Sequence, residues 1–262
     1  MAEGSVRARL AAGDRCFGTM VFELFTPGIG AILANAGYDF AIFDMEHSGV
    51  GIDTIKAQVA YARGLGLEAY VRVPDGAYST IAPVMDAGAR GIMVPMVETG
   101  AQAQAIADAV RYRPEGRRGL AFGIAHDDYG GRPPAETMAD ANARNVVICL
   151  VETRKGIDNA ADIVAVPGVD IGWLGHFDLT NDMGITAQFE HPDFLRAAEG
   201  FGRTCAAAGK AAGILDANPA MLERFAGFGY RALGYATDVA ALKLAYRNGL
   251  EMLRGLPRPA AN

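Results

Sequence analysis

The chain has 262 residues, 51% of them hydrophobic, a formal charge of −6 and an isoelectric point near 5.3. That length suits one large α/β barrel as well as two small domains, and an acidic balance without a basic run argues against nucleic acid and anionic membrane as partners. The opening MAEGSVRARL lacks the apolar core of a signal peptide, and the apolar stretch around 28–43 is broken by Asn35 and Asp39, so no membrane span and a soluble, cytoplasmic protein are expected.

Short β-rich runs alternate with longer helical segments. The first run, CFGTMVF (16–22), is followed by FAIFD (40–44), which leads into DMEHSG with Asp44, Glu46 and His47. A helix over 52–65 puts Ile52, Ile55, Val59 and Ala62 on one face. AYVRV (69–73) carries Arg72 and precedes Pro74 and Asp75; RGIMVP (90–95) runs on to Glu98. Residues 112–145 are too long for an ordinary helix-to-strand connection and are expected to form a long loop at a subunit interface. Within it, His126, Asp127 and Asp128 precede the fifth strand, on the wrong face of the barrel for a site, and read as solvated or interfacial.

VVICLVE (146–152) ends in Glu152, and DIGWLG (170–175) leads into GHFDLTND with His176, Asp178 and Asp182. A helix over 192–208, then KAAGIL (210–215), YRALGY (230–235) and a last helix over 238–254 complete the chain. Strand–helix alternation implies a parallel sheet, and continuous apolar strands imply burial on both faces. Eight such units predict a single (β/α)8 TIM barrel over 1–262 rather than a doubly wound open sheet, which usually has fewer strands. Cys16, Cys149 and Cys205 form no C-x-x-C and read as buried free thiols.

In a barrel, chemistry sits at the C-terminal ends of the strands. The ionisable residues gather there on strands two to six. Glu152 and Asp178 follow neighbouring strands, whose axes lie roughly 4.8 Å apart, and two carboxylates over one rim suit a divalent cation of the Mg²⁺ or Mn²⁺ kind, with water and a chelating substrate in the other positions. Each residue also has a plainer reading. Glu152 suits a helix N-terminus, Asp178 suits a cap, Arg72 suits a structural ion pair, and His47 suits a structural histidine. His176 is open between a third ligand and pocket lining. Four such coincidences on one rim favour a site. No Walker A, no G-x-S-x-G and no glycine-rich phosphate grip after strand seven appear.

The segments FDMEHSG, VRVP, GARGIMVPMVET, RPEGRRG, VETRKGIDNAADIVAVPGVDIGWLGHFDLTNDMGI and GILDANP, in order and over about residues 5–250, resemble the HpcH/HpaI aldolases, class II pyruvate aldolases that act on 4-hydroxy-2-oxoheptanedioate and 2-keto-3-deoxy sugar acids. The resemblance implies a metal-dependent barrel that makes or breaks a carbon–carbon bond between a pyruvate-type enolate, from pyruvate or hydroxypyruvate, and an aldehyde. It implies Glu152 and Asp178 as ligands of Mg²⁺, Mn²⁺ or Co²⁺, Arg72 as stabiliser of the enolate oxygen, His47 as the acid–base residue, and Asp86 as the residue that tunes it. Asp86 precedes the fourth strand, at the bottom of its own barrel. In the family that dyad is built across a subunit contact, in hexamers with exchanged C-terminal helices. Three positions depart from the family pattern: Leu150 stands where a glutamine is usual, and His176 and Phe177 replace proline and alanine before Asp178. The first and last of these touch substrate in the family, and backbone N–H groups near Gly175–Asp178 are expected to hold the substrate carboxylate.

Three rivals are weighed on the same residues. A Schiff-base mechanism needs a lysine in the barrel mouth. Of the 24 lysines and arginines only Lys56, Lys155, Lys210 and Lys243 are lysines, and Lys155 alone lies near the right rim. A related lyase acting on a CoA thioester or a citrate-like substrate would want a basic patch for CoA phosphates, which is absent. A non-catalytic oxoacid-binding barrel has no use for a base such as His47.

Overall fold

The computed structural model describes residues 4–256. Each of the eight apolar runs is a strand: β1 (Cys16–Val21), β2 (Phe40–Asp44), β3 (Glu68–Arg72), β4 (Gly91–Val94), β5 (Val146–Val151), β6 (Ile171–Leu174), β7 (Ala211–Asp216) and β8 (Tyr230–Thr237). Consecutive strands pair in parallel and β8 pairs with β1, closing the sheet into the expected (β/α)8 barrel. Around it lie α2 (Ile29–Asn35), α3 (Ile52–Ala62), α4 (Tyr78–Asp86), α5 (Gly100–Val110), α6 (Pro134–Arg144), the short pair α7 (Arg154–Asp158) and α8 (Ala160–Val164), α9 (His176–Asp182), α10 (Pro192–Ala207), α11 (Pro219–Gly227) and α12 (Asp238–Arg254). Among the described residues no helix is long and apolar enough to cross a membrane.

Side chains alternate along each strand, and the alternation separates two cores. Phe40 and Ile42, Tyr70, Met93, Val146, Ile148 and Leu150, and Trp173 fill the barrel interior. The alternate positions, such as Ala41, Phe43, Val71, Ile92, Val147 and Cys149, pack outward against the helices. Glycine makes room for the interior rings: a Cβ on Gly91 would meet the Tyr70 ring at 2.7 Å, and one on Gly213 would fall within the Trp173 ring. Val6 and Leu10 of α1 (Val6–Ala11) join the interior core, so α1 closes the barrel from below. Its first N–H is fixed there by Glu68, at the start of β3 (2.8 Å). All three cysteines are buried and free, and burial pushes Cys149 and Cys205 up to about 12.

Residues 112–145 are not a long loop throughout. The last third is α6, with Pro134 in its first turn, Glu136 facing the positive helix end and Arg144 in its last turn. Thr137, Ala141 and Asn142 are its buried face. Before it, a 3-10 turn over Ala125–Asp127 buries His126 and Asp127 within the chain itself, against the expectation of solvated side chains. The Asp127 carboxylate accepts from Gly123 N–H (2.7 Å) and the His126 carbonyl from Arg144 (3.0 Å), so local hydrogen bonding folds the cluster inward. Asp128 alone is exposed, paired with Arg63 at 3.1 Å.

The last helix, α12, follows β8 as expected, but its packing is unusual. It buries no residue, and Leu242, Tyr246, Leu250 and Leu253 lie exposed on one stripe of it.

Candidate active site

The interior parity of three strands continues past the apolar core into charge. Asp44 follows Phe40 and Ile42 in phase, Arg72 follows Tyr70, and Glu152 follows Leu150. All three therefore stand in the mouth, at the C-terminal ends of β2, β3 and β5. Asp44 and Arg72 are direct partners in the β2–β3 register. The Arg72 Nε donates to Asp44 Oδ1 at 2.6 Å, and Nη1 lies 3.1 Å from Glu46 Oε2. Asp44, wholly buried, also accepts the N–H groups of Glu46 (3.1 Å) and His47 (2.9 Å), which shapes the turn after β2. Arg72 is only 8% exposed, and its Nη2 is buried without a partner among the described residues. A buried guanidinium N–H without an acceptor is costly, so this donor marks where a ligand oxygen belongs.

Glu152, 5% exposed, accepts the Met96 N–H through Oε1 at 2.7 Å. Met96 is in the left-handed region (φ 55°), a conformation that aims its amide at the carboxylate. Burial pushes Glu152 up to about 7; the Met96 amide opposes this, while the charges of Asp178 and Glu46 add to it. Glu46 is likewise raised, first by burial, against the pull of Arg72 and His47 and with Asp44 and Asp178 adding. The mouth thus gathers Asp44, Glu46, Glu152 and Asp178 around one arginine. A divalent cation fits this donor set: four hard carboxylates, two of them held above their usual range by burial with their neighbours' charge adding, and oxygen ligands of the kind Mg²⁺ and Mn²⁺ prefer. Among the described residues no trio of His, Cys, Asp or Glu stands ready to hold an ion by itself. Glu152 and Asp178 are the pair at hand, with water and substrate to complete the shell.

Asp178 lies exposed in the first turn of α9, just beyond β6. Gly175, expected to offer its N–H to a substrate carboxylate, donates it instead to Val151 across the sheet (2.9 Å). What the position supplies is space, since a Cβ there would meet Glu152 Oε2 at 2.6 Å and Leu150 Cδ1 at 3.2 Å. Leu150 is buried at the top of the interior core. Phe177 is 58% exposed on the rim, its ring 4.7 Å from His176 and 4.9 Å from Phe189. His176 is buried with Nε2 3.3 Å from Asp216 Oδ2, at the end of β7.

His47 stands exposed beside this cluster, with Nε2 3.7 Å from Glu46. Asp86 is not near it in this chain. It ends α4, which runs back from the mouth, and its carboxylate takes Nη2 of the buried Arg118 at 2.6 Å. Lys155 points to Glu98 (2.9 Å) with its side chain mostly in solvent, and Lys210 is held by the Val169 carbonyl (2.6 Å). Three neighbours went unnoticed in the sequence: Met96, Asp216 and Phe22. Only the glycine-free "PMVE" turn after β4, with no residue suited to a positive φ, carried any signal.

Comparison with known proteins bears on this arrangement. The family model described as HpcH/HpaI aldolase/citrate lyase matches residues 19–243. A hydroxypyruvate/pyruvate aldolase from Roseovarius nubinhibens is 35% identical, over 95% of this chain and 96% of its own. A 2-keto-3-deoxy-L-rhamnonate aldolase from Klebsiella pneumoniae is 34% identical, over 85% of this chain and 83% of its own. The crystal structure of an HpcH/HpaI aldolase from Desulfitobacterium hafniense superposes with a TM-score of 0.91 at 30% identity, covering 97% of this chain and 98% of that one.

Proposed function

Because the chain belongs to the HpcH/HpaI aldolase/citrate lyase family, we propose that it is a divalent-metal-dependent aldolase that makes or breaks the C3–C4 bond of a 4-hydroxy-2-oxoacid, joining a pyruvate-type enolate to an aldehyde. The observation that carries this reading is the mouth itself: a buried carboxylate crowded by like charges, next to an arginine with one unsatisfied N–H. Glu152 and Asp178 would hold Mg²⁺, Mn²⁺ or Co²⁺, and the bound cation would polarise the 2-oxo group and carboxylate of pyruvate or hydroxypyruvate.

The chain's own residues have distinct tasks. Arg72 is held by its Nε–Asp44 hydrogen bond, with the Glu46 charge beside Nη1, which leaves Nη2 for the oxygen that changes from carbonyl to enolate. His47, at the edge of the mouth, takes the proton of the C4 hydroxyl in cleavage and returns it in synthesis. Asp86 would act on the His47 of a neighbouring copy, because its own lies at the other end of the barrel. Leu150 and Phe177 give the substrate an apolar floor and side wall. The deciding assay joins pyruvate or hydroxypyruvate to a simple aldehyde after EDTA treatment and again with metal restored. Activity that vanishes and returns supports the reading. Activity that ignores EDTA and is trapped by borohydride would move attention to Lys155.

Metal binding should also depend on pH. With Glu152 at about 7, the metal-free mouth holds a proton below that pH which a cation must displace. Affinity for Mn²⁺ is therefore expected to fall as pH drops through 7, by up to about tenfold per unit. Calorimetric titration of the EDTA-treated protein from pH 8 to pH 5.5 measures this, and a flat profile would remove Glu152 as a ligand.

Assembly belongs to the same proposal. The exposed stripe Leu242, Tyr246, Leu250 and Leu253 on α12 supports an exchange of this helix between copies, in a hexamer by resemblance. Leu250→Glu is expected to shift the protein to a smaller species in light scattering, with the barrel's circular dichroism intact. An unchanged mass would separate α12 from assembly.

A further inference from the structure

We propose that Phe22 is a positioning residue for Arg72 and His47, and that Asp238, the first residue of α12, holds Phe22 in place. The inference rests on the roles given to Arg72 and His47 above, which use neither Phe22 nor Asp238.

Phe22 is the residue after β1, where the chain leaves the rim. Its ring serves two groups at once. The Arg72 guanidinium lies 5.2 Å from the ring centroid, and the His47 imidazole lies nearly parallel to the ring, with centroids 6.5 Å apart and planes at 12°. A guanidinium over an aromatic face is attracted to it without using its in-plane N–H donors. Arg72 is thus held in plane through the Nε–Asp44 hydrogen bond, with the Glu46 charge beside Nη1, and out of plane by Phe22, with Nη2 unpaired among the described residues. His47 is less constrained. Its backbone is tied to Asp44, but its side chain is 58% exposed, and Phe22 is the ring that lies alongside it.

Phe22 is itself anchored from 216 residues away. The N–H groups of Phe22, Glu23 and Leu24 all donate to the Asp238 carboxylate, at 2.9, 3.0 and 2.7 Å. One carboxylate that accepts three backbone donors makes a charge-assisted clamp. The end of β8 is bent to bring it there. Ala236 is in the left-handed region (φ 57°), its carbonyl accepts from the buried Thr19 hydroxyl (3.0 Å), and the β1–β8 register shifts at this point. An alanine persists in that conformation only where its surroundings over-determine it. The junction between β8 and α12 is therefore built to grip the loop after β1, and through Phe22 the seating of α12 reaches the reacting groups.

The test uses the full-length, Mn²⁺-loaded protein with pyruvate and propanal, and Arg72→Lys as the reference variant. Phe22→Leu, which keeps apolar volume but loses the ring face, is expected to lower kcat about ten- to a hundred-fold, with KM for pyruvate within about threefold of the wild type. Phe22→Tyr, which keeps the face, should retain most of kcat. Asp238→Asn should lower kcat in the same way, and the double variant Phe22→Leu/Asp238→Asn should lose no more than the worse single one, because both act through one contact. The inference falls if Phe22→Leu turns over at the wild-type rate while Arg72→Lys is crippled, if Phe22→Tyr is as impaired as Phe22→Leu, or if the two losses multiply. An Arg72→Lys variant at the wild-type rate would instead bring down the functional reading on which the inference stands. The Phe22 variants decide the matter even if Asp238→Asn folds poorly.

Discussion

Glu152→Ala is expected to lose on the order of a thousand-fold or more in kcat/KM, since the charge stabilisation a bound cation supplies amounts to several kcal/mol. Mn²⁺ binding by calorimetry should vanish with it. The fold should survive. Among the described residues Glu152 caps no helix and closes no ion pair; its one hydrogen bond there is from Met96 N–H, and Leu150 beneath it keeps the interior core closed. The burial that raises Glu152 means that the metal-free wild type carries a penalty at high pH. A carboxyl whose folded value lies above its ordinary 4.5 contributes stability below that value and loses it as pH rises through about 7. Removing the carboxyl removes the penalty, so the melting temperature of the variant at pH 8 should be no lower than that of the metal-free wild type. A Glu152→Ala protein that still binds Mn²⁺ and turns over would end its assignment as a ligand.

Arg72→Lys is expected to lower kcat about a hundred- to a thousand-fold, the range that follows removal of one donor to a developing oxyanion. Charge is conserved, so the change isolates geometry. The guanidinium spans Asp44, Glu46 and the free position of Nη2 with three nitrogens in one plane. An ammonium is a single point that cannot reach all three. It should settle on the fully buried Asp44, whose carboxylate would otherwise lack a counter-charge, and leave the substrate oxygen unattended. Steady-state kinetics with thermal melts will check this. Near-normal kcat in a well-folded variant would take Arg72 out of the chemistry.

Much of the barrel was legible because apolar runs in a parallel sheet must be long enough to be buried on both sides, and "VVICLV" and "FAIF" are such runs. The break from Val151 to Glu152 located the mouth for the same reason: burial stops where charge begins. Pairing was not legible. That Arg72 meets Asp44 depends on the β2–β3 register, and no local pattern encodes which residue of one strand lies beside which residue of the next. His176 with Asp216, and Phe22 with Asp238, join positions far apart in sequence, and their partners carry no distinctive neighbours. Helix α6 was hidden by its flanks, since the Gly and Pro residues of "YGGRPPAE" read as loop while Pro134 in fact begins a helix.

The small helix under the barrel has a consequence for the order of events. With Val6 and Leu10 packed under a filled interior core, the lower end of the barrel is closed behind Arg72 and Glu152, which face the rim. Everything that reaches Arg72 and Glu152 passes the rim where His47 and Phe177 stand, and whatever sits deepest must arrive first and depart last. In the proposed reaction, an oxoacid seated against Glu152 would leave the aldehyde on its rim side. In the cleavage direction of the proposed reaction the aldehyde would then leave first, and the remaining oxoacid would stay in place until it had taken up its proton.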